Sequence, residues 1–102
     1  MKGSQKIIDA LNGLLAMELA AMDQYFIHSQ MYQDWGLHKL YVRIAHEFDD
    51  EKGHATALIG RMLFLEGTPD MVTRDGFKVG SDVKSMLESD LRVEYGVADR
   101  LK

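Results

Sequence analysis

The sequence predicts an all-α protein, an antiparallel helix bundle with two long helices and the start of a third. Two observations carry that reading. Core-type residues return at alternating three- and four-residue steps over two long stretches, as one face of a helix requires. Only two or three residues join those stretches, so helices of that length must fold back against each other.

The first helix is expected over about 6–34. Ile8, Leu11, Leu15, Glu18, Met22 and Tyr25 share its inner face, and only Gly13 interrupts the pattern. Trp35-Gly36 closes it, because glycine takes the left-handed conformation that ends a helix. The second is expected over about 37–66, with Leu40, Ile44, Glu47, Glu51, His54, Leu58, Met62 and Leu65 on one stripe. Gly67 is read as its cap, and Pro69, the only proline, forbids continuation. At ~1.5 Å per residue each helix is roughly 40 Å long.

Residues 67–80 are polar and lack either periodicity, which reads as a crossover loop. A third helix starts at about 82, capped by Ser81 or Asp82, with Val83, Leu87, Leu91, Glu94, Ala98 and Leu101 on one face. No stop signal follows before Lys102, so the third helix is expected to be cut rather than finished. The whole of 1–102 is taken as the N-terminal part of one bundle.

Composition narrows the chemistry. Twelve Lys and Arg against sixteen Asp and Glu leave a net charge of −4, and no basic run is long enough to track a phosphate backbone. Nucleic acid is an unexpected partner. The absence of cysteine removes disulfides, thiolate nucleophiles and sulfur-bound zinc, leaving oxygen and imidazole as ligands. No apolar leader opens the chain and no window approaches the roughly 18 apolar residues of a membrane span, so a cytoplasmic protein is expected.

Within those limits Glu51 and His54 are the most informative pair. Three residues apart on a helix, they set a hard oxygen ligand and an imidazole on one face. Glu18 and Glu94 occupy core-type positions of the two other helices, and Glu47 joins them on the second. An ionised carboxylate on a packed apolar face costs several kcal/mol unless it is paired, hydrogen-bonded or bound to metal. Arg61 is the only obvious internal counter-charge beside the stripe. A mixed carboxylate and imidazole shell suits iron or manganese, with zinc as a substitute. Each glutamate alone is more simply a rim residue turned to solvent; their convergence favours metal.

Tyr25, two turns after Glu18, could reach a metal-bound carboxylate or be an ordinary buried tyrosine. His46 and Asp50, four apart on a neighbouring strip, are either a second cation site or a solvated pair. The methionines are read as core filler, and His28 and His38 as surface or rim residues.

Several longer runs resemble bacterioferritins over nearly the whole chain. They are Met1-Lys2-Gly3, Leu14-Leu15-Ala16-Met17-Glu18-Leu19, Gln24-Tyr25-Phe26-Ile27-His28, Trp35-Gly36-Leu37, Leu63-Phe64-Leu65-Glu66-Gly67-Thr68-Pro69 and Met86-Leu87-Glu88-Ser89-Asp90-Leu91. The resemblance implies a ferritin-like four-helix bundle with a short fifth helix. Such subunits assemble as 24-subunit shells, oxidise Fe(II) with oxygen or peroxide at an intrasubunit di-iron centre and store ferric mineral. It further implies Glu18, Glu51 and His54 as ligands of one iron, Glu51 bridging to a second iron held by Glu94, and Tyr25 beside the centre. His46 and Asp50 match the residues of an inner-surface iron site.

Two departures stand out. Lys52 follows the bridging glutamate where haem-binding members carry the ligand methionine, so haem is not expected. Only one Glu-x-x-His is present, whereas the family draws a second from its fourth helix. Three functional readings follow: part of a ferroxidase subunit with its C-terminal segment still bound, a half-ferritin that completes its site at a dimer interface, or a non-catalytic metal-binding shell fragment.

Overall fold

The computed structural model describes residues 2–76 and 79–100, with side chains described for 2–76 and 79–92. Among the described residues there are three helices: α1 (Gln5–Asp34), α2 (His38–Phe64) and α3 (Val83–Arg100). The all-helical reading is correct, as are the two long helices and the start of a third. None of the described helices is long and apolar enough to cross a membrane.

Ser4 starts α1 by accepting a hydrogen bond from the Ile7 amide at 3.3 Å through its hydroxyl, which satisfies one of the donors a helix start leaves unpaired. Gly36, at φ 74°, reverses the chain after Trp35 as the sequence predicts. The helices then run antiparallel: the Gly3 amide, ahead of α1, donates to the Leu65 carbonyl just past α2 at 2.8 Å.

The end of α2 differs from expectation in one detail. The left-handed residue is Glu66, at φ 60°, and the Gly67 amide donates to the Met62 carbonyl at 2.8 Å. Gly67 is needed for space instead, since a Cβ there would overlap the Ile8 side chain. This contact pins the start of α1 against the end of α2.

Two apolar clusters hold the helices together, the first between the ends of α1 and α2 and the second joined by α3. One is built on Ile8, Leu15, Leu19, Ala55, Met62 and Leu65, the other on Ala21, Tyr25, Tyr32, Ile44 and Met86. The crossover loop lies along α1: the Asn12 amide group donates to the Thr68 carbonyl at 3.1 Å and accepts from the Asp70 amide at 2.8 Å. Further along, Arg74 pairs with Asp23 at 2.6 Å.

Asp82, the second of the two proposed caps, starts α3 by accepting from the Ser85 amide at 2.8 Å. The face of α3 differs from the predicted stripe. Leu87 and Leu91 are 42% and 52% exposed, whereas Met86, Ser89 and Asp90 are buried. The reason is geometric: α3 packs on α1, one side of it turns Met86 and Asp90 inward, and Leu87 and Leu91 line a cavity of about 400 Å³ shared with Ile44 and Glu47 of α2. Ala98 and Leu101 lie outside the residues whose side chains are described.

Candidate metal centre

Glu51 falls between the two apolar clusters along α2, and Glu18 lies on α1 between Leu15 and Leu19 of the first, so packing on either side buries them. Each is 3% exposed. His54 follows Glu51 by three residues on α2, which sets its ring over the same turn. Its Nδ1 stands 3.3 Å from Glu51 Oε2 and 3.6 Å from Glu18 Oε2, and the ligand atoms of all three residues lie within 4.8 Å of one another.

Two helices thus bring two acids and an imidazole to one point. Glu18 Oε2 is buried and has no hydrogen-bond partner, an expensive state for an anionic oxygen. The donor set is oxygen and nitrogen, which fits Fe(II) or Mn(II). His54 differs from the sequence expectation of a core position, since its side chain is 58% exposed. It borders a cavity of about 310 Å³ that runs from Leu11 and Leu14 past Glu18 to Leu58 and Arg61. Arg61 is exposed and its guanidinium lies over the Phe64 ring at 5.5 Å, so it is a surface cation rather than a buried counter-charge.

The other predicted residues separate into groups. Tyr25 is 1% exposed within the second cluster. Glu47 is partly buried and pairs with Arg43 at 2.9 Å along α2. His46 Nε2 and Asp50 Oδ2 are 3.6 Å apart on an exposed face, away from the Glu18 group. Residue 94 belongs to α3, but its side chain lies outside the described ones. Lys52 is exposed.

His28 is the clear correction. Expected at the surface, it has 0% exposure. Its Nδ1 is 2.9 Å from Asp90 Oδ1, its Nε2 accepts the Gly80 amide at 3.1 Å, and Gln24 Nε2 donates to the same Asp90 oxygen at 2.7 Å. Gln24 and His28 lie beside the predicted core stripe of α1, on the side where α3 docks, and a reading confined to the α1–α2 stripe passes over them. The one available signal was their four-residue spacing, which makes them neighbours on a helix surface. The Tyr32 hydroxyl is buried near this group; burial first and the Asp90 charge second push its pKa from 10.0 up to about 12.

A pair of long antiparallel helices with buried carboxylates and a Glu-x-x-His facing each other is the arrangement of helix-bundle metal proteins. The chain belongs to the ferritin-like domain family, whose pattern matches residues 8–102. Among curated relatives it is 58% identical over all 102 residues to a bacterial ferritin of Paramagnetospirillum magnetotacticum and 57% identical over the same span to a bacterial ferritin of Synechocystis. A bacterioferritin of Brucella melitensis is 41% identical over 95 residues, 93% of this chain. The chain spans 62% of the first relative's length, 65% of the second's and 59% of the third's.

Proposed function

We propose that this chain serves iron storage and detoxification, as part of a ferroxidase subunit that oxidises Fe(II) and passes Fe(III) to a mineral core. The observation that carries the reading is the buried pair Glu18 and Glu51, from two helices, with His54 Nδ1 against both. On this reading Glu18 and His54 hold one iron ion, Glu51 bridges it to a second, and Glu94 from α3 binds that second ion. Iron here is substrate. Each Fe(II) gives up one electron, so two of them reduce one oxygen molecule to peroxide with two protons taken up, or one peroxide to two waters. The carboxylates offset the charge gained as the ions become ferric.

In the metal-free protein a proton on His54 Nδ1 is what can bridge it to Glu51 Oε2. Metal entry displaces that proton, since imidazole binds metal through a free lone pair. The solvent-facing side of His54 gives Fe(II) a direct approach. The remaining ligands come, in this proposal, from a further segment such as the relatives' additional length provides, with subunits assembled as a shell in the cytoplasm. His46 and Asp50 are proposed as a weaker site on the shell's inner surface, and Tyr25 as a neighbour of the centre. No haem is bound on this reading: Lys52, as an ammonium group, has no lone pair to offer haem iron.

The test is stopped-flow absorbance after mixing the Fe(II)-loaded protein with oxygen or peroxide. Glu51→Ala and His54→Ala should each slow the fast phase by about 100-fold or more, because each removes a direct ligand. Unchanged fast oxidation in both variants overturns the assignment. Native mass spectrometry of the active form shows whether a further segment or a second copy of this chain completes the centre; the second result is the half-ferritin arrangement. Iron bound without oxidation leaves the non-catalytic shell role.

A further inference from the structure

The polar group formed by Gln24, His28 and Asp90 is buried, yet it plays no part in the chemistry just described. Its bonding pattern is directional. A backbone amide can only donate, so the Gly80 bond makes His28 Nε2 the acceptor and places the ring proton on Nδ1. Nδ1–H therefore donates to Asp90 Oδ1, and Gln24 Nε2–H donates to the same oxygen. Two residues one turn apart on α1 thus hold one carboxylate of α3, while His28 also holds the backbone three residues ahead of the start of α3.

Apolar contact alone orients α3 weakly. Met86 is its one buried large apolar side chain among those described, and Leu87 and Leu91 are largely exposed. Apolar contacts tolerate sliding and rotation, whereas two donors converging on a single oxygen fix both. Residue 94 lies one turn beyond Asp90 on the same continuous helix, ~6 Å further along its axis.

We propose that His28 and Gln24 are positioning residues for the metal centre: acting through Asp90, they set the rotation and height of α3 and so the point at which Glu94 is delivered to the ions held by Glu18, Glu51 and His54. The inference rests on the reading of Glu94 as a ligand. Metal–ligand distances have a tolerance of about 0.2 Å, so a small rotation of α3 weakens the contribution of Glu94 while leaving the α1–α2 ligands in place.

The experiment titrates Co(II) anaerobically into the purified protein in its native assembly, reading affinity and the ligand-field absorption bands. Glu94→Ala run in parallel identifies the binding step that depends on Glu94. Asp90→Leu removes the shared acceptor and should weaken that step by about tenfold or more, with altered bands, while the step that depends on Glu18 is unchanged. Two variants of His28 keep the test decisive if Asp90→Leu fails to fold. His28→Asn puts an amide donor near the Nδ1 position and should keep Co(II) affinity within about twofold. His28→Gln reaches the Nε2 position, keeps the Gly80 bond, leaves Asp90 short of a donor and should show the weakened step.

A purely adhesive role predicts equal Co(II) binding in His28→Asn and His28→Gln whatever their melting temperatures, and that result overturns the proposal. If Glu94→Ala weakens a step that Asp90→Leu and His28→Gln leave intact, the positioning role falls while Glu94 stands as a ligand. If Glu94→Ala changes nothing, the ligand assignment falls and takes the positioning role with it.

Discussion

At the level of Glu18 the bundle buries two carboxylates, one from α1 and one from α2, and leaves the histidine that faces them largely exposed. At the level of His28 the histidine is completely buried and its carboxylate, Asp90, receives hydrogen bonds from two side chains. Both groups pair an acid with an imidazole at similar distances. They differ in the supply of donors. Around Asp90 Oδ1 the fold provides two N–H groups, so hydrogen bonds meet the charge at that oxygen, while Oδ2 of the same carboxylate is buried without a partner. Around Glu18 Oε2 no hydrogen bond is made, and a second buried acid, Glu51, shares the space, a pairing that a bound cation would balance.

The largest test of that difference compares the two histidines. His28→Ala leaves Asp90 short of a donor and the Gly80 amide without an acceptor, both buried, and should destabilise the metal-free protein by about 3 kcal/mol. His54→Ala removes a ring that is 58% exposed and whose contact with Glu51 Oε2 is longer, at 3.3 Å, so it should destabilise by less, about 1 kcal/mol, while destroying metal-dependent oxidation. Urea denaturation of both variants measures this, and equal losses would contradict the distinction.

Glu18→Gln separates the two groups by sign. Relieving the repulsion between buried acids should stabilise the metal-free protein by about 1 kcal/mol and remove most of the stabilisation that added Co(II) confers on the wild type. Thermal melts with and without Co(II) read both effects together. A less stable metal-free variant would mean that the Glu18 charge is already satisfied.

A smaller effect belongs to Tyr32. Its raised pKa favours the folded state as long as the phenol stays neutral: the contribution is fully present below the ordinary value of 10.0 and is lost as pH rises through about 12. Alkaline spectrophotometric titration should show a late-ionising tyrosine that is lost in Tyr32→Phe. In Asp90→Leu the same ionisation should move down only in part, because burial is the larger cause and the Asp90 charge the smaller.

The ladder of core positions in α1 and α2, the reversal at Gly36, the cap at Asp82 and the Glu51–His54 spacing were all legible in the sequence, because each depends on residues within a turn or two of one another. The convergence of Glu18 with Glu51 could also be anticipated, since two long helices with a short connection meet in only one antiparallel register. Tertiary structure alone decided which side of α3 is buried. The apolar stripe through Val83, Leu87 and Leu91 pointed to one face, but α3 docks on α1 through Met86 and the bonded carboxylate of Asp90, so a polar residue took the inner position. His28 was misplaced for the same reason. Its burial depends on a helix more than fifty residues away and on a backbone amide at Gly80, and helical periodicity within α1 carries no information about either.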